Sequence, residues 1–207
     1  MSRFSTRLLL SVAASLVIAG CGAARYETIT YPPRVDLTKH QVIGVIEFSS
    51  PDQKELASIA TARFVESARS DQGLVRMVTL HGGTTRPTPA ELRELAREHG
   101  LQTIVIGDLR VSKIRPSVSI ADLTSANVSG AVEATLAVEI VEPATGASLW
   151  SATGRTRQTI GGVSIQDLKH VEFGGVPPDA AYTELVDQLV GQVTRDMHST
   201  WERRRVD

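Results

Sequence analysis

The chain of 207 residues holds one cysteine, Cys21, and five histidines: His40, His81, His99, His170 and His198. A thiol can be a nucleophile, a metal ligand or an acyl acceptor, and imidazoles can ligate metal or carry protons. Metal sites usually take two ligands from one short stretch, and no histidine here lies within five residues of another. No G-x-S-x-G, H-E-x-x-H or G-x-x-x-x-G-K-[ST] run occurs, so the common signatures of a hydrolase elbow, a zinc protease and a phosphate loop are missing. No metal and no cofactor are expected. Glu47 and Asp108 close two predicted neighbouring strands and could converge as a carboxylate pair for acid–base work. The reading taken is two solvated strand-end charges, and no catalytic residue is assigned. His99 closes a predicted helix, where a cation suits the dipole.

Cys21 is the residue with the clearest chemistry. Arg3 and Arg7 form a positive start, Leu8–Ile18 is apolar apart from small residues, and small residues follow. The run is too short for a comfortable bilayer span and has the order of a secretory signal. Ile18-Ala19-Gly20-Cys21 resembles the lipobox of bacterial lipoproteins. The resemblance implies cleavage between Gly20 and Cys21, with acylation of the Cys21 thiol and of the new amino terminus. Residues 1–20 are then a signal peptide, and 187 residues remain with the net charge moved from −1 to −3. Several acyl chains anchor stably, at ~0.8 kcal/mol per buried methylene. No thiol is left for a disulfide. Gly22, rather than Asp, follows the cysteine. By the same resemblance this sorts the protein to the inner leaflet of the outer membrane, facing the periplasm.

Composition sets the remaining bounds. Hydrophobic residues make up 42%, charged residues 22% and aromatics 4%, with a net charge of −1. That is ordinary globular material with no electrostatic pull toward nucleic acid. Residues 21–40 carry the lipidated cysteine and a tether stiffened by Pro32-Pro33. The alternative is an ordered arm whose contacts come from Val35 and Leu37.

Residues 41–202 read as one α/β domain. Val42–Phe48 is a near-continuous apolar run and predicts a buried strand. Pro51, Asp52 and Glu55 predict the start of a helix with Leu56, Ile59, Ala60, Phe64 and Ala68 inward, ending near Arg69. Leu74–Leu80 is a strand. Thr88-Pro89-Ala90-Glu91 is a capping box, and Gly100 stops the second helix. Thr103–Val111 is a strand. Residues 113–129 are a loop or a weak strand extension. Ala131–Val141 alternates, with Val132, Ala134, Leu136, Val138 and Ile140 on one face, and pairs with Ser148–Ile160 across a turn. Gly161–Pro178 is a surface loop. A last helix from Asp179 carries Tyr182, Leu185, Leu189, Val193, Met197 and Trp201 as its stripe. Trp150 and Trp201 are core anchors, and 203–207 is a basic tail. The fold class is therefore α/β (α+β), order β-α-β-α-β-β-β-α, a mixed sheet with helices packed on it.

Pro33–Leu37 before Val42–Phe48, Glu98-His99-Gly100, the strand from Thr103 with Gly107-Asp108, and Glu139–Ser151 with its Thr-Gly turn and Leu149-Trp150 pair resemble the curli-secretion (CsgG-type) lipoprotein domain. The same design is shared by the lipoprotein activator of a penicillin-binding protein, the lipoprotein of Pel polysaccharide export and the amino-terminal domain of the Tol-system periplasmic protein. The resemblance implies a non-enzymatic scaffold, activator or accessory of envelope assembly or export. Its partners would be outer-membrane lipid through Cys21, an unidentified periplasmic protein and, as an open alternative, further copies of itself. Curli-type channels insert two long hairpins per subunit, and a spanning strand needs about 9–11 residues. Residues 112–130, interrupted by Pro116 and Gly130, supply one such strand at most, so a channel subunit is the alternative and an envelope hydrolase the second alternative. The exposed hairpin edge, 113–129 and 161–178 are the expected contact surfaces.

Overall fold

The computed structural model describes residues 25–40, 42–73, 75–81, 86–112, 115–122, 125–166, 170–174 and 178–206. Contacts divide the chain into two units. The larger, 33–199, is a mixed α/β domain, as its sequence predicts. The smaller holds a two-stranded antiparallel ribbon, β1 (Arg25–Tyr31) with β9 (Thr200–Val206).

In the larger unit, β2 (Val42–Ile46) leads through α1 (Lys54–Ser70) to β3 (Arg76–Leu80), and through α2 (Pro89–His99) to β4 (Thr103–Val111). These three strands are parallel, with β2 between the other two. The antiparallel half follows: β5 (Arg115–Asp122), β6 (Ser125–Val141), β7 (Ser148–Gln166) and β8 (His170–Gly174). The order across the sheet is β3-β2-β4-β6-β7-β8. β5 pairs with β6 beyond the end of β4, and Ser112 joins the two by donating its N–H to Glu133 O at 2.7 Å. The chain then forms α3 (Pro178–Val193).

The alternation of β6 dictates the layering. Val132, Ala134, Leu136, Val138 and Ile140 are all buried on one face. There they meet α1 through Ala60 and Phe64, and α3 through Leu185 and Leu189. Gly107 of β4 lies under the Phe48 ring, where a Cβ would come within 2.4 Å. Phe48 in turn meets Phe64 edge-on at 5.4 Å. Among the described residues the opposite face is covered in its parallel half, where α2 lays Leu92 on Ile46, Ile104 and Ile106.

Local chemistry explains the helix ends. Thr88 and Glu91 form the expected capping box, with Pro89 at the first helical position. The Thr88 N–H and hydroxyl, both donated to Glu91, hold that carboxyl below its ordinary value. Gly100 closes α2 at φ 63°, a left-handed conformation that needs no Cβ.

Several expectations are corrected. α1 begins at Lys54 with Gln53 as its cap, and neither Asp52 nor Glu55 caps it. Ser50 Oγ accepts from Gln53 N–H at 3.3 Å instead, which leaves Pro51 and Asp52 in the preceding turn. Ile59 is 41% exposed. The inward stripe turns toward Ala57 and Thr61, whose hydroxyl accepts from Phe48 N–H at 2.9 Å. The last helix stops at Val193. A 3-10 turn, Arg195–Met197, buries Met197, and the chain continues as β9. Trp201 is therefore 68% exposed on a strand and not a core anchor, and Arg203–Arg205 lie on that strand rather than at a helix end. Trp150 is half-buried against the core. Residues 113–129 take the strand alternative, supplying β5 and the start of β6, whereas 161–178 supply the end of β7 and β8 in place of the expected loop.

The arm 33–40 takes the ordered alternative. Leu37 is 1% exposed, and Val35 donates to Asp196 O at 2.9 Å. Buried Gln72, which sequence patterning does not single out, ties it down. Its Oε1 accepts from Leu37 N–H at 3.0 Å, and its Nε2 donates to Val35 O at 2.8 Å and to Met197 O.

Candidate functional site

Where α2 stops covering the second face, β4, β6 and β7 present an open cleft of about 670 Å³. Its floor follows from register. Cross-strand partners share a face and successive residues alternate. The pairings therefore give three rows: Ile106–Glu139–Ser151, Asp108–Ala137–Thr153 and Arg110–Thr135–Arg155. Glu47, Ser49, Arg86 and Pro87 complete the lining. The same three strands thus carry apolar residues toward the helices and polar residues toward the cleft.

The charges in the cleft are matched in sign, with three carboxylates and three arginines among its lining residues. Arg110 Nε donates to Asp108 Oδ1 at 2.7 Å, and Ser49 Oγ donates to Asp108 Oδ2 at 3.2 Å. Arg86 pairs with Glu139, whose side chain is 20% exposed. Glu47 faces His81 Nδ1 at 4.0 Å. Asp108 and Glu47 line one cleft, although Asp108 lies inside β4 rather than at its end, and each has its own cationic or imidazole neighbour. The arrangement suits binding of an extended polar segment: alternating donors and acceptors, an accessible floor, and hydroxyls of Thr135, Ser151 and Thr153 between the charges.

The remaining predicted residues lie apart. His198 packs at the end of α1, with Nε2 3.2 Å from Ser67 Oγ and Nδ1 3.5 Å from Asp71. His99 is in the last turn of α2, and His170 begins β8. Among the described residues no three His, Cys, Asp or Glu side chains gather as a metal-binding group. Gly20 and Cys21 lie outside the described residues. No described helix is long and apolar enough to cross a membrane. The cleft itself had two sequence signals, Asp108 after Gly107 and the polar face of β6. Arg86 and Arg155 carried none, because their meeting depends on register.

A second feature comes from register alone. Beyond Val132 the pairings align Val118–Val128–Val163–Phe173 and Ile120–Ala126–Ile165–Val171 across β5, β6, β7 and β8. The alternate rows are Ser117–Ser129–Gly162–Gly174 and Ser119–Asn127–Ser164–Glu172. Successive register rows across the four strands thus alternate between mainly apolar and mainly polar residue types. In the described residues β5 pairs only with β6, and β8 only with β7.

No protein-family model matches the chain, and no curated protein matches it. Among solved structures it is similar to the PelC dodecamer subunit of Paraburkholderia phytofirmans, at 16% identity and TM-score 0.42, covering 84% of this chain and 97% of that one. It is also similar to a homolog of the neuraminyllactose-binding hemagglutinin from Helicobacter pylori, at 15% identity and TM-score 0.41, covering 78% and 83%. The LpoB C-terminal domain of Escherichia coli follows at 14% identity and TM-score 0.36, covering 60% and 95%.

Proposed function

We propose that this chain is an envelope lipoprotein, cut before Cys21, acylated there and held on the periplasmic side of the outer membrane. Its α/β domain docks a periplasmic partner as a scaffold, activator or accessory of envelope assembly or export, without catalysing a reaction. The observation that carries this reading is the agreement of Arg3 and Arg7, the apolar run Leu8–Ile18, and Ile18-Ala19-Gly20 before the chain's single cysteine. The cleft supports the docking role. Its Asp108 and Glu139 each pair with an arginine beside the hydroxyls of Thr135, Ser151 and Thr153, a set of donors and acceptors that suits recognition of a polar segment. The test is palmitate labelling in cells: wild type incorporates label and Cys21→Ser does not. Absence of label from wild type contradicts the reading.

The four-strand sheet favours a second reading, an oligomeric channel-type subunit. Alternating apolar and polar rows with two open edges would let β8 of one copy pair with β5 of the next. Against it, β5 has eight residues and β8 five, short of the about 9–11 that span a bilayer. Native mass of the lipidated protein in mild detergent separates the two: a ring-sized assembly favours the channel, a monomer the tethered docking protein.

A further inference from the structure

The ribbon β1–β9 has two unlike faces. Register pairs Tyr26 with Arg205, Thr28 with Arg203 and Thr30 with Trp201. These six residues share one face, since cross-strand partners do and neighbours alternate. The other face takes Glu27 with Arg204, Ile29 with Glu202 and Tyr31 with Thr200, and Arg25 with Val206 at its end. That face balances its charges, and Tyr31 Oη donates to Glu202 Oε2 at 3.2 Å. The first face has two guanidinium groups, an aromatic ring toward each end and no carboxylate. Arg203 stands over the Tyr26 ring at 5.4 Å. Tyr26 is 56% exposed and Trp201 68%.

We propose that this face lies on anionic phospholipid headgroups of the bilayer that holds the Cys21 acyl chains, with Arg203 and Arg205 at phosphates and Trp201 and Tyr26 at the headgroup–acyl boundary. The proposal rests on acylation of Cys21. Four residue steps separate Cys21 from Arg25, a reach of about 14 Å at full extension. An anchored Cys21 therefore keeps the ribbon beside the headgroups. Arginines on an anionic surface and amphipathic aromatics at its boundary are a recurring pairing. The attraction is local: the chain as a whole is acidic by one charge, and surface fields fade within about 8 Å in physiological salt.

The test uses the full lipidated protein in vesicles, with or without phosphatidylglycerol in phosphatidylcholine. Trp201 emission is read with acrylamide in the water and nitroxide on the lipid headgroup. Trp150→Phe isolates the signal, and the difference between wild type and Trp201→Phe gives it without touching Trp150. With phosphatidylglycerol, Trp201 becomes shielded from acrylamide and quenched by the lipid nitroxide. The docked-to-undocked ratio falls about fivefold for Arg203→Gln or Arg205→Gln and on the order of thirtyfold for both. Arg204→Gln, on the balanced face, leaves it nearly unchanged. Equal acrylamide access in both vesicle types overturns the proposal, as does Arg204→Gln costing as much as Arg203→Gln. Shielding by a soluble anionic polysaccharide without shielding by vesicles also overturns it and assigns the face to glycan. Intact mass is measured on the same sample. Acylated protein with an exposed Trp201 rejects the ribbon proposal alone, and unacylated Cys21 rejects the anchoring reading and the tether with it.

Discussion

The two ends of the β6–β7 hairpin have the same alternation and different neighbours. At the inner end, Val132 to Ile140 face α1 and α3 and are buried. β7 is tied to α3 there by Gln158, whose Nε2 donates to Glu184 Oε2 at 2.9 Å. At the outer end the apolar rows continue through Val128 and Ala126, joined by β5 and β8. Alternation along a strand therefore reports that a sheet has two unlike faces. It does not report what covers the apolar one. At the inner end the cover is within the chain.

Substitutions along this line break or sharpen the contrast. Leu136→Ala removes a fully buried side chain from the inner end and should cost about 2–5 kcal/mol in denaturant unfolding. A cost near zero would mean that the helices do not clamp the hairpin. Gln72→Leu, at the clamp's far side, strands the Leu37 N–H and the Val35 and Met197 carbonyls. It should cost about 2–3 kcal/mol in the same assay. Thr88→Ala, on the α2 side of the sheet, should cost about 1 kcal/mol. Glu91 adds a pH dependence to that cap. Its folded carboxyl is lowered, so its stabilisation is present above the ordinary carboxyl value, and it is lost as pH falls through the lowered one. Glu91→Gln should flatten the acid limb of the stability curve.

Much of the fold was legible, for reasons that differ by region. Ile43–Ile46 and Thr103–Ile106 read as strand segments because both of their faces are buried in the parallel half. Thr88–Gly100 read as a helix because its capping chemistry is local. The outer strands are harder to read because Ser, Gly and Pro leave 113–129 open between loop and strand and make 161–178 look like a loop, until register aligns Val118, Val128, Val163 and Phe173. The last helix was drawn too long because Met197 and Trp201 continue a four-residue spacing by coincidence: Met197 is buried from a 3-10 turn and Trp201 lies on a strand. In the cleft, Asp108 is singled out by its place after Gly107, though it lies inside β4 and not at its end. The pairing of Arg86 with Glu139 carries no sequence signal, since a distant segment and a strand meet only after folding.

Each of these surfaces matters for the proposed role only if the domain hangs from lipid at Cys21. The most direct measurement is the intact mass of the amino-terminal peptide of the protein extracted from membranes. The account predicts a peptide that begins at Cys21 and carries the added mass of its acyl chains. A peptide that retains residues 1–20 with an unmodified Cys21 would contradict it.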